Sequence, residues 1–483
     1  MKKGEQKDVV IIGAGPAGLT AGLELARTKS FSVTVLERDS VVGGIAKTVE
    51  YKGCRFDIGP HHFITESEKI LQWWQAIMEG DFHKHKRFTR IHYRKRFFYY
   101  PLEPMNALFG LGFYECTLSI LSYLRYRLFP IKKVVSFQDW VTNRFGYRLF
   151  THFFKTYTEK VWGISCTELS ADWAAQRIKT FSLSKAIFYA FFGRFFKKNK
   201  PRTIRDDFYY PSFGSGALWE RVAGKIIEHD DTEFKLSHEV VHIEHDHQSI
   251  VAVSTKKNKQ IKEHAAQALT RYHADYFLST MPLRALILAM DPLPPTMIVQ
   301  AARALRYRGL ITINLIVNNP KINPDHWLYV HDKELHAGRV GNSNNFSPYM
   351  VDDPTKHSAI SLECFCYTED PFWYTSDKEL LAIGKQELSY LGFAKPEDVL
   401  DGMILRTPEA YPVYDAHYQE HLTTVLQYLA RFSNLQLMGR NGLHQYNNMD
   451  IAMLSALAAV DKVLEHEKKP HERVKASESV FLT

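Results

Sequence analysis

Apolar residues run through this chain in two rhythms. Residues 9–12, Val-Val-Ile-Ile, form a short apolar strand that ends on Gly13, and Leu19, Leu23 and Leu25 then recur at helical spacing. A second strand pattern, Ser32-Val-Thr-Val-Leu36, follows, so residues 8–70 predict an opening β-α-β unit. Residues 71–204 read as mostly helical, with strand-like Thr89–Tyr93 and Phe97–Tyr100 near their start. The chain turns near Pro211 and Gly214-Ser215-Gly216 into a helix through Trp219, Val222 and Ile226. Val240–Ser254 alternates like a hairpin, Ala274–Thr280 reads as a further strand, and residues 305–366 hold several more, including Leu310–Val317. A last helix, Asp450 to about Leu464, follows a glycine-rich turn. This order predicts an α/β fold in which a domain of three pieces (1–70, 205–280 and 425–465) is interrupted by a mixed α+β domain (71–204 and 281–424). Residues 466–483 form a charged tail.

The first strand-to-helix junction carries chemistry. Gly13-x-Gly15-x-x-Gly18 stands between a strand and a helix, the context of a Rossmann-type dinucleotide site. Gly13 permits the tight turn, Gly15 lets backbone approach a pyrophosphate, and Gly18 lets helix and strand pack closely. The diphosphate meets unpaired N–H groups at the positive end of the helix. Glu37, 19 residues beyond Gly18, ends the second strand where a carboxylate can accept ribose hydroxyls, and Arg38 follows it. A second glycine pair, Gly43-Gly44, comes where a nicotinamide enzyme would normally enter a helix. The pattern resembles that of FAD-binding proteins, in which such a pair lets backbone pass the pyrophosphate and ribityl chain. That resemblance would bring Gly59 and His61 near the isoalloxazine and implies FAD rather than NAD as the cofactor.

Composition adds bounds. A chain of 483 residues is too long for one hydrophobic core. The net charge of +8 favours anionic ligands such as nucleotide diphosphates, or an acidic membrane surface. No basic stripe or nucleic-acid motif accompanies it, which argues against nucleic acid. Five cysteines lack metal-like spacing, and Cys364-x-Cys366 sits in a strand-like run that reads as buried strand. His238, His242, His245 and His247 crowd one hairpin at spacings that put them on different faces, so no metal site is expected. No secretory segment precedes the first strand, and a reducing cytoplasm is the expected compartment. The longest apolar stretch, Ala107–Leu124, holds Glu115 and closes on Arg125 and Arg127, which disfavours a bilayer span. Residues 185–200 are aromatic and then basic. They read either as helices of the second domain or as a peripheral contact at the inner face of a membrane.

The glycine motifs resemble the FAD-binding fold (the GR2-like class) shared by amine oxidases, protoporphyrinogen oxidase and UDP-galactopyranose mutase. Three islands are similar to the mutase in particular: Phe153–Gly163 with its Tyr-Thr-Glu-Lys-x-Trp-Gly stretch, Arg306–Leu310, and Gly439–Asp450. Tyr100-Pro101-Leu102 and Ala410–Asp415 are shorter echoes. The resemblance implies an isomerase that interconverts pyranose and furanose forms of a nucleotide sugar through attack by N5 of reduced flavin, in cell-surface polysaccharide synthesis. An external reductant such as NAD(P)H would supply the electrons. It gives Arg308 and Arg440 the departing diphosphate, a use suited to arginine's fork. Tyr411 and Tyr446 would donate hydrogen bonds to it, Tyr157 and Trp162 would border the nucleotide, and His61 would touch the flavin. Gly439, Met449 and Asp450 would close the flavin side. His444, Asn448 and Ile64 depart from the mutase pattern. Trp327–Val330, Gly338–Gly341 and Phe277–Leu283 are instead similar to the oxidase branch, which leaves an FAD-dependent oxidoreductase as the alternative.

Overall fold

The computed structural model describes residues 6–177, 207–257 and 269–468. The aromatic-then-basic segment 185–200 lies outside them, as does the tail beyond Lys468.

The opening apolar runs form the centre of a five-stranded parallel sheet. Its order is Leu435–Leu437, Tyr276–Ser279, Lys7–Ile12, Phe31–Leu36 and Thr232–Lys235. Helix Pro16–Thr28 covers one face with Gly216–Ile227 and Met449–Lys468, burying Leu19, Leu23, Trp219, Val222 and Met453 in one core. Strands drawn from residues 7, 31, 232, 276 and 435 onward meet in this one sheet, because parallel neighbours need crossover connections and the chain uses those crossovers to carry its inserted domain. The last helix runs to Lys468, past Leu464, and its end is tied down by the Tyr276 hydroxyl, 2.5 Å from Glu467 Oε1.

A second, seven-stranded sheet carries the other domain, in the order Val399–Pro412, Tyr307–Val317, Ser358–Cys366, Ala337–Asn342, Trp327–Val330, Thr89–Tyr93 and Arg96–Tyr99. Every residue of Tyr307–Val317 and of Ser358–Cys366 is buried, so both faces of these central strands are covered. Cys364 and Cys366 are plain members of that buried strand.

Three helices sit differently from the expected division. Glu68–Met78 buries Ile70, Trp74 and Ile77 against the helix side of the parallel sheet. Leu283–Leu288 and Thr296–Ala304 pack on its opposite face, where Leu286, Ile298 and Ala302 meet Val10, Ile12 and Phe277. Apolar area exposed by the parallel sheet has to be covered on both faces, and these neighbouring segments cover it. The hairpin His238–His245 and Ile250–Lys257 forms as read, and His242 and His245 turn to Asp291 and to the Pro292 carbonyl.

Candidate functional site

The glycine loop is built by close approach. A Cβ on Gly18 would lie 1.8 Å from the Gly13 carbonyl oxygen, and one on Gly13 would lie 2.0 Å from Thr280 Oγ1. Gly13 has φ +102°, and its N–H donates to the Leu36 carbonyl at 2.8 Å. The Gly43 N–H donates to the Ala14 carbonyl at 2.8 Å, which brings Gly44 against Gly15. Glu37 accepts from the Ala14 N–H at 2.6 Å and from the Asp39 N–H at 2.9 Å. Burial raises its pKa, and those two N–H groups oppose the shift. The loop, Glu37 and Arg38 line one cleft of about 660 Å³ with His61, Gly439, Arg440 and Met449. Gly59 lies outside that wall, beside Glu363 and Arg339, and Asp450 is buried in the first turn of the last helix.

The cleft has features of a flavin site. Its glycine cradle is one that a Cβ would fill. Along its wall, His61 Nδ1, Asn441 Oδ1 and both amide atoms of Asn447 are buried without a hydrogen bond among the described residues, leaving polar groups for the cofactor's heteroatoms. Gly13, Gly15 and the N-terminus of helix Pro16–Thr28 would hold the pyrophosphate, Glu37 the ribose, and His61, Asn447 and Met449 the flavin side.

Beyond His61, segments of both domains bring a polar aromatic cluster together. Tyr411 and Tyr446 stack at 5.5 Å, and Trp162 stands edge-on to Tyr446 at 5.6 Å. The Arg440 guanidinium lies 5.4 Å from the Tyr411 ring centre and 5.2 Å from that of Tyr446. Its nitrogens also donate to the carbonyls of Asn447 and Ala410, fixing it in place. Tyr157 stacks on His331 at 5.1 Å and meets Tyr329 edge-on. Trp162 is 1 % exposed and packs with Phe137, Phe150 and Leu169, so it is a core residue that meets the tyrosine pair through one edge. His61 is held neutral: burial, with Arg440 and Arg339 nearby, lowers its pKa to about 3. Lys160 is brought down to about 8 by burial, and it donates to the carbonyls of Val330, Asp332 and Ala337.

Two residues change roles. Arg308 does not reach the cleft. It donates to the carbonyls of Val161 (3.1 Å), Lys160 (3.3 Å) and Phe365 (2.9 Å), and it stacks on Tyr367 at 4.3 Å. It therefore locks helix Thr156–Trp162 to the seven-stranded sheet, and the diphosphate role drawn from the resemblance is corrected to a structural one. Arg308→Ala is expected to lose about 2–4 kcal/mol of stability by orphaning buried carbonyls. UDP affinity in the folded fraction should be unchanged, as calorimetry alongside urea unfolding would check.

A second cation reaches the tyrosines beside Arg440: Arg339, which the sequence motifs did not single out. Its Nη2 donates to the Tyr411 hydroxyl at 2.8 Å and to Glu363, and its Nε has no partner among the described residues. Burial raises the pKa of Glu363 against the pull of Arg339, which faces it across paired strands. The Tyr411 hydroxyl accepts from Arg339 here, which leaves its own proton for donation to a ligand.

Comparison with known proteins agrees with this architecture. The family described as flavin containing amine oxidoreductase matches residues 16–406. Reduced UDP-galactopyranose mutase superposes with a TM-score of 0.77 at 19% identity, covering 95% of this chain and 94% of that one. A protoporphyrinogen oxidase-like protein from Exiguobacterium sp. 255-15 gives 0.70 at 17% identity, covering 95% and 99%. At these identities the likeness is one of fold. Among curated sequences, 1-hydroxycarotenoid 3,4-desaturase of Flavobacterium sp. (strain P99-3) is 37% identical over 92 residues, 18% of either chain. The 4,4'-diapophytoene desaturase of Methylomonas sp. is 37% identical over 54 residues, 11% of this chain and 10% of that protein. The chain thus matches less than a fifth of the length of these two relatives.

Proposed function

Starting from the fact that this chain belongs to the flavin containing amine oxidoreductases and binds FAD, we propose that it rearranges the sugar ring of a nucleotide diphosphate sugar. The observation that carries this reading is the pair of arginines on one tyrosine stack: Arg339 is bonded to the Tyr411 hydroxyl, and Arg440 lies over the rings of Tyr411 and Tyr446. A guanidinium on the cleft wall beside two hydroxyl-bearing rings, with a second, Glu363-paired guanidinium on the Tyr411 hydroxyl, suits a polar, oxygen-rich ligand better than an apolar one. When bound and reduced, the flavin supplies an electron-rich centre able to displace a diphosphate from an anomeric carbon. Arg440, on the cleft wall, faces the departing diphosphate, Arg339 positions the Tyr411 hydroxyl, and the Tyr446 hydroxyl is a further donor. His61, kept neutral by burial, lines the cleft and takes no proton. Tyr157, Tyr329 and His331 wall off water on the far side.

A second reading, net removal of hydride from an amine, alcohol or ring C–H, is favoured by the desaturase names among the short sequence matches. One experiment separates the two. The purified flavoprotein, reduced with dithionite, is given UDP-galactofuranose and the nucleotide sugars are resolved by chromatography. Conversion to the pyranose only in the reduced state is the expected outcome. Failure to convert any UDP-hexofuranose, with stoichiometric bleaching of oxidised flavin by an amine or alcohol, would overturn it.

A further inference from the structure

The helix Phe113–Leu128 is amphipathic in the inverted sense. Glu115, Ser119, Ser122 and Tyr126 follow one another at spacings of four, three and four, and three of them engage the body of the protein. Glu115 is bonded to Arg148 at 2.9 Å and lies 3.2 Å from His152 Nε2, Ser119 is buried, and Ser122 Oγ accepts the Arg148 N–H. The opposite stripe, Phe113, Ile120, Leu121, Leu124 and Leu128, faces solvent, with Phe113 80% and Leu128 71% exposed. The preceding helix, Pro104–Leu111, adds Phe109 at 75% exposure, and the two helices meet at Gly112 with a bend of 118°. An ordinary surface helix buries its apolar stripe. This one buries its polar groups, and a contiguous exposed apolar face marks an interaction surface.

Charge and length identify the occupant. Residues 104–135 contain one acidic side chain, Glu115, and it points inward to Arg148. At the end of the apolar face stand four exposed cations, Arg125, Arg127, Lys132 and Lys133. Among the described residues no single helix is long and apolar enough to cross a membrane. Sixteen residues reach about 24 Å, short of a hydrocarbon core of about 30 Å. A bent pair of helices, apolar outward and basic at one end, fits the plane of a lipid interface. We propose that the outward face of Pro104–Leu128 seats this protein on an anionic bilayer, with Phe109, Phe113, Leu121 and Leu124 in the acyl boundary and residues 125–133 among the headgroups.

The test uses the full-length, flavin-loaded protein and two vesicle preparations, phosphatidylcholine alone and phosphatidylcholine with about one-third phosphatidylglycerol. Flotation should show at least about tenfold tighter association with the anionic vesicles, weakened by added salt. Phe113→Glu combined with Leu121→Glu should abolish flotation while leaving the visible flavin spectrum and the unfolding transition intact. Phe113→Trp, a mild change at an exposed position, gives a second readout that does not depend on the double variant folding. The added indole's emission should move to the blue with anionic vesicles and be quenched by acyl-brominated lipid. Absence of flotation by the wild-type protein, or no difference in emission between the Phe113→Trp variant with and without anionic vesicles, overturns the proposal. So does a solution dimer that light scattering detects and the Phe113 and Leu121 substitutions dissolve without any vesicle binding.

Discussion

Gly18→Ala is expected to strip the flavin from this protein. The added methyl would lie 1.8 Å from the Gly13 carbonyl oxygen and 3.0 Å from its carbon, both backbone atoms. Gly13 has no room to retreat. Its N–H is bonded to Leu36, its backbone is left-handed, and Thr280 stands against its α-carbon. The loop must therefore lift off the helix, and the N–H groups that would meet the pyrophosphate move with it. Overpacking of this kind costs about 1–3 kcal/mol. Charged to ligand binding, that is about 5- to 150-fold in affinity. Flavin per chain after desalting, and fluorescence titration of the stripped protein with FAD, would measure it. Gly224→Ala is the matched control, because a Cβ there meets nothing within 4 Å and alanine favours the helix. Equal flavin content in the two variants would refute the assignment of Gly18.

Arg339→Ala is expected to be the most damaging single change outside the glycine loop. Glu363 is 1% exposed, and its carboxylate would lose its cation. Breaking a buried pair by removing one partner costs about 3–5 kcal/mol. The loss should depend on pH with a definite sign. Burial already raises the folded-state pKa of Glu363 above its ordinary value, and removing Arg339 raises it further. A carboxylate so shifted costs nothing at pH values below its unfolded pKa, where both states are protonated. The penalty grows as pH rises through the folded pKa. Urea unfolding from acid to neutral pH should therefore show the variant close to wild type in acid and falling away toward pH 7. Adding Glu363→Gln should recover most of the stability and flatten that dependence. A pH-independent loss, or no rescue, would show that Arg339 acts through packing alone. The same double variant separates fold from function, since it restores stability without restoring a guanidinium beside Tyr411.

The parts of the molecule legible in sequence are those whose reasons are local. Gly13, Gly15 and Gly18 answer to one another within six residues, and the strand and helix around them follow from adjacent apolar spacing. Residues drawn from the two ends of the inserted domain were harder. Arg308 stands second in a strand in which all eleven positions are buried, so no alternation of apolar and polar residues tells which way each side chain turns. Its partners, the carbonyls of Lys160, Val161 and Phe365, are backbone groups and leave no mark in composition. Arg339 lay in a segment read only for its likeness to oxidases. Its importance comes from the register that sets it opposite Glu363, and pairing between strands 24 residues apart is a tertiary fact. The helices at 283–304 were misassigned for a similar reason: an amphipathic stripe shows that a face is covered, but not which sheet covers it.

The wall of the cleft that carries Gly439, Arg440 and Met449 leaves the ribosome more than four hundred residues after the loop at Gly13. At about 5–20 residues per second, translation separates the two halves of one binding surface by roughly 20–90 s. Throughout that interval the first β-α-β unit lacks the edge strand Leu435–Leu437 and the helix that covers Leu19 and Leu23. The complete cradle for the prosthetic group therefore exists only once residues 435–468 have been made and have packed onto the opening unit.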